Sequence, residues 1–232
     1  CKEHYLLKMN CLTLIPAFNP PDKIVELVDS LVTQGQSDIL IIDDGSKKEI
    51  SSNYFKHKIE IIRNLKNMGK GYTLKKGFTL AAKRGFNYVV VIDSDMQHDP
   101  EIINKLVNAN LKYEFVMAKR SFKHPMPLHR RLSNAITSRL ITNLCGLKIY
   151  DSQCGYRRYK LSSILNYNYI EDGFQFESEV LIKSINEKSN ILQFETKTIY
   201  NGSNSSIRTF SDTIKFIRLI LRSYINKIKL NG

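Results

Sequence analysis

The chain has 232 residues, of which 42% are hydrophobic and 10% aromatic, and this composition is that of a globular protein with one sizeable core. Lys and Arg outnumber Asp and Glu by 35 to 22, a formal net charge of +13. That excess favours anionic partners such as nucleic acid, nucleotide phosphates or an acidic membrane surface. No apolar run reaches the length of a membrane-spanning helix, and no signal peptide is visible.

The cysteines give a second indication of the protein's environment. Cys1, Cys11, Cys145 and Cys154 show no metal-ligand spacing, and two of them lie in apolar segments. We therefore expect reduced thiols in a cytosolic protein. The chain begins at Cys1 rather than at Met, which leaves open that it is a fragment and that a membrane-anchoring segment or subunit lies outside it.

Short apolar runs alternate with helical patterns in the first half of the chain. We predict strands at 12–15, 39–42, 59–62, 89–92 and 115–118, and helices near 22–34, 70–84 and 100–112. This series predicts a single α/β domain with a parallel sheet and helices on both faces. Ligands of such sheets bind beyond the carboxyl ends of the strands, and polar residues cluster there, at 16–19, 43–46 and 93–97.

The fourth predicted strand ends in an acidic loop. Nothing alternates in the apolar run 89–92, so we expect a strand buried on both faces, followed at once by Asp93 and Asp95. Two neighbouring carboxylates repel each other unless a cation lies between them, and oxygen ligands suit Mg²⁺ or Mn²⁺. Asp99 and the proline after it predict a helix start, and we interpret His98 as a loop residue rather than a ligand.

Two amphipathic helices are predicted in the second half. The first spans about 128–145, ends at Gly146, and repeats an apolar residue every four positions, at Leu132, Ile136, Leu140 and Leu144. The second spans 211–230, with an apolar stripe of Ile214, Ile217, Leu221, Ile225 and Ile228 beside Lys215, Arg218, Arg222 and Lys229. Each is either a helix packed on the core with a solvated edge or an interfacial membrane helix.

Five motifs in order resemble the family 2 glycosyltransferases, particularly those that transfer sugars to dolichyl or polyprenyl phosphate. They are IPAFNP at 15–20, IDDGS at 42–46, NMGKGYTLKKG at 67–77, DSDMQ at 93–97 and DSQCGYRRY at 151–159. The resemblance covers about residues 10–225. It implies one GT-A-like domain over 1–232 with a nucleotide-binding, parallel-type sheet and C-terminal amphipathic helices. The nucleotide-sugar half would span about 10–120, and the acceptor half about 121–230.

The resemblance also implies a donor site. The base and ribose would be held by Pro16, Ala17, Phe18, Asn19, Ile42 and Asp44, and the rest of the donor by Lys70, Asp93, Ser94, Arg120 and Ser205. Asp93, Asp95 and Gln97 would bind a Mg²⁺ or Mn²⁺ ion together with the diphosphate. The alternatives are a plain turn residue for Asp44 and a surface arginine for Arg120.

The acceptor side rests on Asp151, Arg157 and Arg131, which the resemblance implies are catalytic. The acceptor of such relatives is a lipid phosphate, which is ionised near neutral pH and needs cations to place it more than a base to activate it. A hydroxyl acceptor would need a general base. Asp151 fits either a base or an orienting partner of Arg157.

The sequence departs from the family at two points. Pro20 stands where an acidic residue often follows the asparagine of the first loop. The late R-x-x-G-x-S-K segment keeps Gly202 and Ser205 but lacks its leading arginine, and Arg208 lies a few residues late. The loop 201–206 still has a composition typical of a mobile lid.

The resulting hypothesis is a metal-dependent, inverting transferase that moves one sugar from a nucleotide donor to a polyprenyl phosphate at the cytoplasmic face of a membrane. The alternative uses the same donor with a hydroxyl acceptor in surface glycan synthesis. A basic nucleic-acid-binding module is disfavoured, because acidic residues at the strand ends would repel phosphates. The sequence determines neither the sugar nor the base.

Overall fold

Seven strands form one sheet with helices on both faces, as described by a computed structural model for residues 10–121, 126–197, 199 and 209–231. The strands are β1 (Cys11–Ala17), β2 (Ile39–Asp43), β3 (Glu60–Arg63), β4 (Tyr88–Val91), β5 (Phe115–Arg120), β6 (Arg157–Lys160) and β7 (Ile191–Thr196). The helices are α1 (Ile24–Thr33), α2 (Lys70–Lys83), α3 (Ile103–Val107), α4 (Leu128–Cys145), α5 (Leu161–Ile164), α6 (Phe176–Asn186) and α7 (Thr209–Asn231). Short 3-10 turns lie at Ser52–Tyr54 and Pro100–Ile102.

The order of the strands is β3-β2-β1-β4-β6-β5-β7. The first four run parallel, as predicted. Strand β6 is antiparallel to both β4 and β5, while β7 is parallel to β5. The chain proceeds from β1 outward to β3 and returns to β4 on the other side of β1, so the loops after β1 and β4 diverge. A crevice at such a point is where α/β sheets bind ligands.

Two apolar layers bury the sheet, one on each face. Helices α1 and α3 cover one layer, with Leu27 and Leu106 among its members. Helices α2, α4, α6 and α7 contribute to the other layer. Strands β1, β2 and β4 are buried along their whole length, which confirms the interpretation that an apolar run without alternation is a central strand.

The predicted helix at 100–112 is shorter than expected. Asp99 caps its start by accepting a hydrogen bond from the Glu101 amide (3.0 Å), as predicted. The helix stops after Val107 because the buried guanidinium of Arg158 lies there. This guanidinium donates hydrogen bonds to five backbone carbonyls, those of Leu106, Val107, Ala109, Asn110 and Tyr113. A side chain from β6 therefore replaces the backbone donors of further helical turns.

Helices α4 and α7 form at the predicted positions, and α4 ends at Gly146 in the left-handed conformation (φ 77°). Apart from the buried Leu144, the described residues of the two predicted apolar stripes do not face inward. On α4 the buried positions are Asn134, Ser138, Ile141 and Leu144. The residues exposed on α4 are Leu128, Leu132, Ile136 and Leu140, and those on α7 are Ile214, Ile217, Leu221, Tyr224 and Ile225. The side chains of Ile228 and Lys229 lie outside the described part of the chain.

Candidate donor and acceptor site

The loops after β1 and β2 are joined to each other. The Asn19 amide, in a left-handed backbone conformation (φ 46°), donates to Ser46 Oγ (2.8 Å), and Asn19 Oδ1 accepts from the Lys47 amide (2.8 Å). Ala17 is buried, whereas the neighbouring Phe18 ring is 40% exposed. Of the residues predicted to hold the base, Phe18 presents a free apolar surface, and Pro16 and Ala17 form the buried end of β1.

The two acidic residues after β2 are occupied within the protein. Asp43 pairs with Arg63 and accepts a hydrogen bond from the Ser46 amide (2.9 Å). Asp44 accepts from Asn64 Nδ2 (2.8 Å) and from the amides of Met68 and Gly69 (2.9 Å each). The Asp44 carboxylate therefore holds the loop before α2, and its contact with the donor stays a prediction.

Ile42 lies at the end of the same strand. Its side chain is fully buried in the layer that α2 covers. Its contact with the donor base stays a prediction.

Glycines bring the start of α2 against the segment before α6. A methyl group on Gly69 (φ 99°) would lie 2.5 Å from the Asp172 carbonyl oxygen, and one on Gly71 would lie 2.5 Å from Phe176 Cβ. The Tyr72 amide donates to that Asp172 oxygen at 3.1 Å. The motif NMGKG therefore permits a close approach that larger residues would prevent, and it places Lys70 next to the first turn of α6.

Lys70 bridges two carboxylates at the centre of the site. Its Nζ lies 2.7 Å from Asp93 Oδ1 and 2.8 Å from Glu177 Oε2. On the other side, Asp93 Oδ2 lies 3.4 Å from His98 Nε2. A methyl group on Gly155 would lie 2.5 Å from the same Asp93 oxygen, so Gly155 is needed for this packing.

The charges of this cluster stabilise one another. Burial would raise the pKa of Asp93, but Lys70 and His98 hold that pKa well below its usual range. Burial would lower the pKa of Lys70, yet the two carboxylates raise it. Burial likewise opposes a charged His98, but Cys154 and Asp93 raise its pKa to about 10. Asp93 is therefore a carboxylate whose charge is already neutralised.

Asp95 differs from Asp93 in its partners. Among the described residues, no cationic group lies at contact distance from the Asp95 carboxylate. Its Oδ1 accepts a hydrogen bond from the Gln97 amide (3.0 Å). Burial and the charge of Asp93 raise the pKa of Asp95 more than His98, the Gln97 amide and Lys70 lower it, so its ionised form is only partly compensated. Ser94 and Gln97 are half-buried beside it.

A divalent ion fits this arrangement only as part of a donor complex. Within the described residues, no group of three or more His, Cys, Asp or Glu side chains could hold a metal ion. Mg²⁺ is commonly bound by one or two carboxylates and completes its coordination with substrate phosphates and water. Asp95 meets that description, whereas both oxygens of Asp93 are occupied by Lys70 and His98. Among the described residues, Asp95 is therefore the predicted carboxylate ligand without a paired cation, with Gln97 adjacent, and the metal assignment stays a prediction.

Arg120 and Asp151 form a bidentate ion pair. Arg120 Nε lies 2.7 Å from Asp151 Oδ2, and Nη2 lies 3.0 Å from Oδ1. The Arg120 backbone amide donates to the same carboxylate at 3.0 Å. Asp151 is fully buried and its observed partner is Arg120 rather than Arg157, while its catalytic role stays a prediction. It orients Arg120, and Arg120 Nη1 donates to no group in the described part of the chain.

Arg157 is also fully buried. Its guanidinium donates to the carbonyls of Cys154 (2.7 Å), Glu177 (2.7 Å) and Ser152 (2.6 Å). This side chain therefore holds the loop 152–154 against α6, and its contact with an acceptor phosphate stays a prediction.

Arg131 is half-buried in the first turn of α4, and its Nε donates to the Met126 carbonyl at 2.6 Å. It remains a predicted acceptor residue. Ser205, Gly202, Arg208 and the predicted lid at 201–206 lie outside the described residues.

Sequence reasoning missed Glu177 and its neighbour Glu179. Both are buried on α6, in the run FESEVLI. Glu179 accepts from the amides of Ile170 and Glu171 and pairs with Arg222 at 3.4 Å. The sequence signal that could have found them is a pair of acidic residues within a largely apolar helical run. Such a run is expected to be buried, and buried carboxylates require partners.

The sheet order, the divergent loops and the acidic strand end define a GT-A-type glycosyltransferase fold. A model of glycosyl transferase family 2 matches residues 13–168, so the chain belongs to this family and is a glycosyltransferase that uses a nucleotide sugar. One similar protein, an uncharacterised protein of Methanocaldococcus jannaschii, is 28% identical over 228 residues, covering 91% of this chain and 97% of its own.

Two further relatives extend the comparison. The UDP-N-acetylglucosamine–dolichyl-phosphate N-acetylglucosaminyltransferase of Methanococcus voltae is 30% identical over 213 residues, covering 81% of this chain and 84% of its own. The structure of glucosyl-3-phosphoglycerate synthase from Mycobacterium tuberculosis, in complex with Mn²⁺, UDP and phosphoglyceric acid, superposes with a TM-score of 0.74 at 16% identity. The match covers 92% of this chain and 78% of that one. At this identity the structural match shows the fold alone.

Proposed function

We propose that the protein transfers one sugar, with inversion, from a nucleotide donor to a polyprenyl phosphate. It does so while bound to the cytoplasmic face of a membrane, and the transfer requires Mg²⁺ or Mn²⁺. The observation that carries the proposal is the outward orientation of the apolar stripes on α4 and α7. Support from relatives comes from the Methanococcus voltae enzyme, whose name specifies a dolichyl-phosphate acceptor.

The first part of helix α4 is inverted relative to an ordinary surface helix, whereas Ile141 and Leu144 near its end are buried in the core. Its inward side includes Ser138, whose Oγ accepts from the Ser152 amide (2.9 Å), and Asn134, whose amide contacts Met126 Sδ (3.7 Å). Its outward side includes Leu128 and Leu132, which are 79% and 60% exposed. Water-soluble proteins rarely leave a row of such residues exposed unless another surface covers them.

Helix α7 extends this surface. It packs inward through Leu219, with Phe216 and Ile220 partly buried against the same core layer. Lys227 Nζ donates to the Leu144 carbonyl at the end of α4 (2.7 Å). Because α4 and α7 contact each other on one face of the sheet, we infer that their exposed apolar residues form one docking surface.

Basic side chains border the docking surface. Lys215 and Arg218 are exposed on α7, where they would meet anionic headgroups. Arg222 was expected to act with them, but it is paired with Glu171 (3.1 Å) and Glu179 (3.4 Å). Within the described residues, no helix is long and apolar enough to cross a bilayer.

The burial of Asp151 and its pairing with Arg120 favour a phosphate acceptor over a hydroxyl acceptor. A hydroxyl must lose its proton to a base during transfer, and Asp151 cannot serve while it is buried and bound to Arg120. A phosphate oxygen is already ionised and requires only placement. Arg131 lies at the start of the outward-facing α4, where a lipid phosphate would approach from the membrane.

The donor side requires residues that orient a diphosphate leaving group. Asp95, with adjacent Gln97, would hold the divalent ion, which supplies charge stabilisation for the leaving diphosphate when bound. Arg120 is held in one orientation by Asp151 and can donate from Nη1 to a phosphate oxygen. Phe18 offers an exposed ring against which the base can stack.

The test is transfer from radiolabelled nucleotide sugars to lipid in anionic vesicles that contain a polyprenyl phosphate. UDP-sugars and GDP-mannose are assayed in parallel with Mn²⁺. Label extracted into organic solvent with the lipid supports the proposal. Label found only in water-soluble oligosaccharide, after hydroxyl acceptors are supplied, would assign the alternative function in surface glycan synthesis.

A further inference from the structure

Glu177 is a buried carboxylate that the fold alone does not require. It lies in the first turn of α6 with 7% of its surface exposed, and its Oε1 has no hydrogen-bond partner among the described residues. Burying a carboxylate is costly, and an oxygen without a partner adds to the cost. An apolar residue of similar size would commonly stabilise a core at least as well, so the charge of Glu177 is informative about function.

Among the described residues, this charge makes its ion pair with Lys70. Glu177 Oε2 and Asp93 Oδ1 lie 2.8 and 2.7 Å from Lys70 Nζ. The ammonium is therefore held between two carboxylates, one from the loop after β4 and one from α6. The close approaches at Gly69 and Gly71 keep α6 at this distance from the start of α2.

A third carboxylate lies within the electrostatic reach of the same ammonium. Asp95 follows two positions after Asp93, whose Oδ1 lies 2.7 Å from Lys70 Nζ. Burial and Asp93 raise the pKa of Asp95, and Lys70 is among the groups that lower it. A lysine side chain is flexible and carries a compact charge with three donors. Asp95 would therefore attract Lys70 if one of its two present partners lost its charge.

We propose that Glu177 is a positioning residue that holds the Lys70 ammonium on Asp93, and so keeps this cation away from Asp95, whose carboxylate stays available to the divalent ion of the donor complex. The inference rests on the proposed function for its metal-bound donor. Without the charge of Glu177, Lys70 would compete with the metal for Asp95. More metal would then be needed to reach the same occupancy, whereas saturating metal would restore the site.

The experiment uses Glu177→Gln, which keeps the shape of the side chain and removes its charge. Mn²⁺ is titrated at a fixed concentration of UDP, and separately of GDP, and the shift in melting temperature is measured. We expect the half-saturating Mn²⁺ concentration to rise about tenfold, which corresponds to about 1.4 kcal/mol. Donor turnover should return near the wild-type kcat at saturating Mn²⁺.

Glu187→Gln is the matched control, because it removes an exposed carboxylate just after the same helix. Its Mn²⁺ titration should match that of the wild type. A Glu177→Gln variant that melts earlier but has an unchanged half-saturating Mn²⁺ concentration would show a purely structural role and overturn the inference. If that variant does not fold, Glu177→Asp serves the same test, since it shortens the reach towards Lys70.

The binding readout separates this inference from the proposed function. A wild-type protein that binds nucleotide with Mn²⁺ but makes no lipid product contradicts the polyprenyl-phosphate acceptor. The Mn²⁺ titration of Glu177→Gln still tests the positioning role in that case. If Mn²⁺ has no effect on nucleotide binding by the wild type, the positioning role is overturned.

Discussion

Replacing two residues of the docking surface should detach the protein from membranes without unfolding it. Leu132 and Ile136 are 60% and 51% exposed on α4. Because they contribute little to the core, Leu132→Ser/Ile136→Ser should change the free energy of unfolding by no more than about 0.5 kcal/mol for each residue. Chemical denaturation measures this part of the prediction.

The loss of membrane affinity follows from the exposed area. Full burial of a Leu or Ile side chain is worth about 1.5–3 kcal/mol. Since more than half of the surface of each residue is exposed, the pair should forfeit about 2–3 kcal/mol of membrane affinity on replacement by serine. Each 1.4 kcal/mol is tenfold, so the partition constant should fall about 30- to 100-fold.

Flotation with anionic vesicles measures that constant. Leu111→Ser is the matched control, because Leu111 is 59% exposed but follows α3, which packs on the other face of the sheet. The double variant should also lose transfer to a long-chain acceptor while hydrolysis of the donor continues. Flotation equal to that of the wild type would refute the assignment of α4 to the membrane.

The basic edge provides an electrostatic form of the same test. Each Lys or Arg near an anionic surface is worth about 1 kcal/mol, so Lys215→Glu/Arg218→Glu should weaken flotation strongly at low salt. Added salt should reduce the difference from the wild type. Arg222 is left unchanged, because reversing it would place a third acidic group beside Glu171 and Glu179. Unchanged flotation of the reversed variant at low salt would exclude this edge from docking.

Three further predictions concern the donor site. Asp95→Asn should abolish transfer and the Mn²⁺-dependent part of nucleotide binding with an unchanged fold, and full activity at limiting Mn²⁺ would contradict the metal assignment. Gly71→Ala should lower the free energy of unfolding by about 1–3 kcal/mol, because the added methyl would lie 2.5 Å from Phe176 Cβ. Urea denaturation measures this free energy, and a variant as stable as the wild type would contradict the close packing at Gly71. The folded-state pKa of His98 is raised from 6.5 to about 10, so its contribution to stability is complete below pH 6.5 and is lost as the pH rises towards 10. The stability of the wild type should therefore fall more between pH 7 and 10 than that of His98→Asn, and parallel pH profiles would refute this.

Local patterning was sufficient to predict the first five strands of the sheet but not β6 and β7. The apolar runs at 12–15, 39–42 and 89–92 became β1, β2 and β4, because strands buried on both faces need a continuous apolar sequence. Strand β6 could not be recognised in this way. It contains Arg157 and Arg158, and their burial depends on carbonyls supplied by distant parts of the chain.

The predicted residues lie along the correct strand ends, but their partners are decided by the tertiary structure. Asp93 and Asp95 are two positions apart in sequence and equivalent in type. Only the folded chain distinguishes them, because Lys70 of α2 reaches Asp93 and leaves Asp95 without a paired cation. Asp151 likewise has a bound arginine 31 positions away in sequence.

The C-terminal helices show most clearly what sequence determines and what it leaves to the fold. Helical periodicity predicts an apolar stripe on α4 and on α7, since it depends only on spacing along one segment. Which side faces the core depends on the groups that the rest of the protein presents. Ser152 offers α4 a hydrogen bond at Ser138, and the core layer accepts Leu219 of α7. These contacts turn Leu132 and Leu221 outward, because a helix that packs through one side must expose the other.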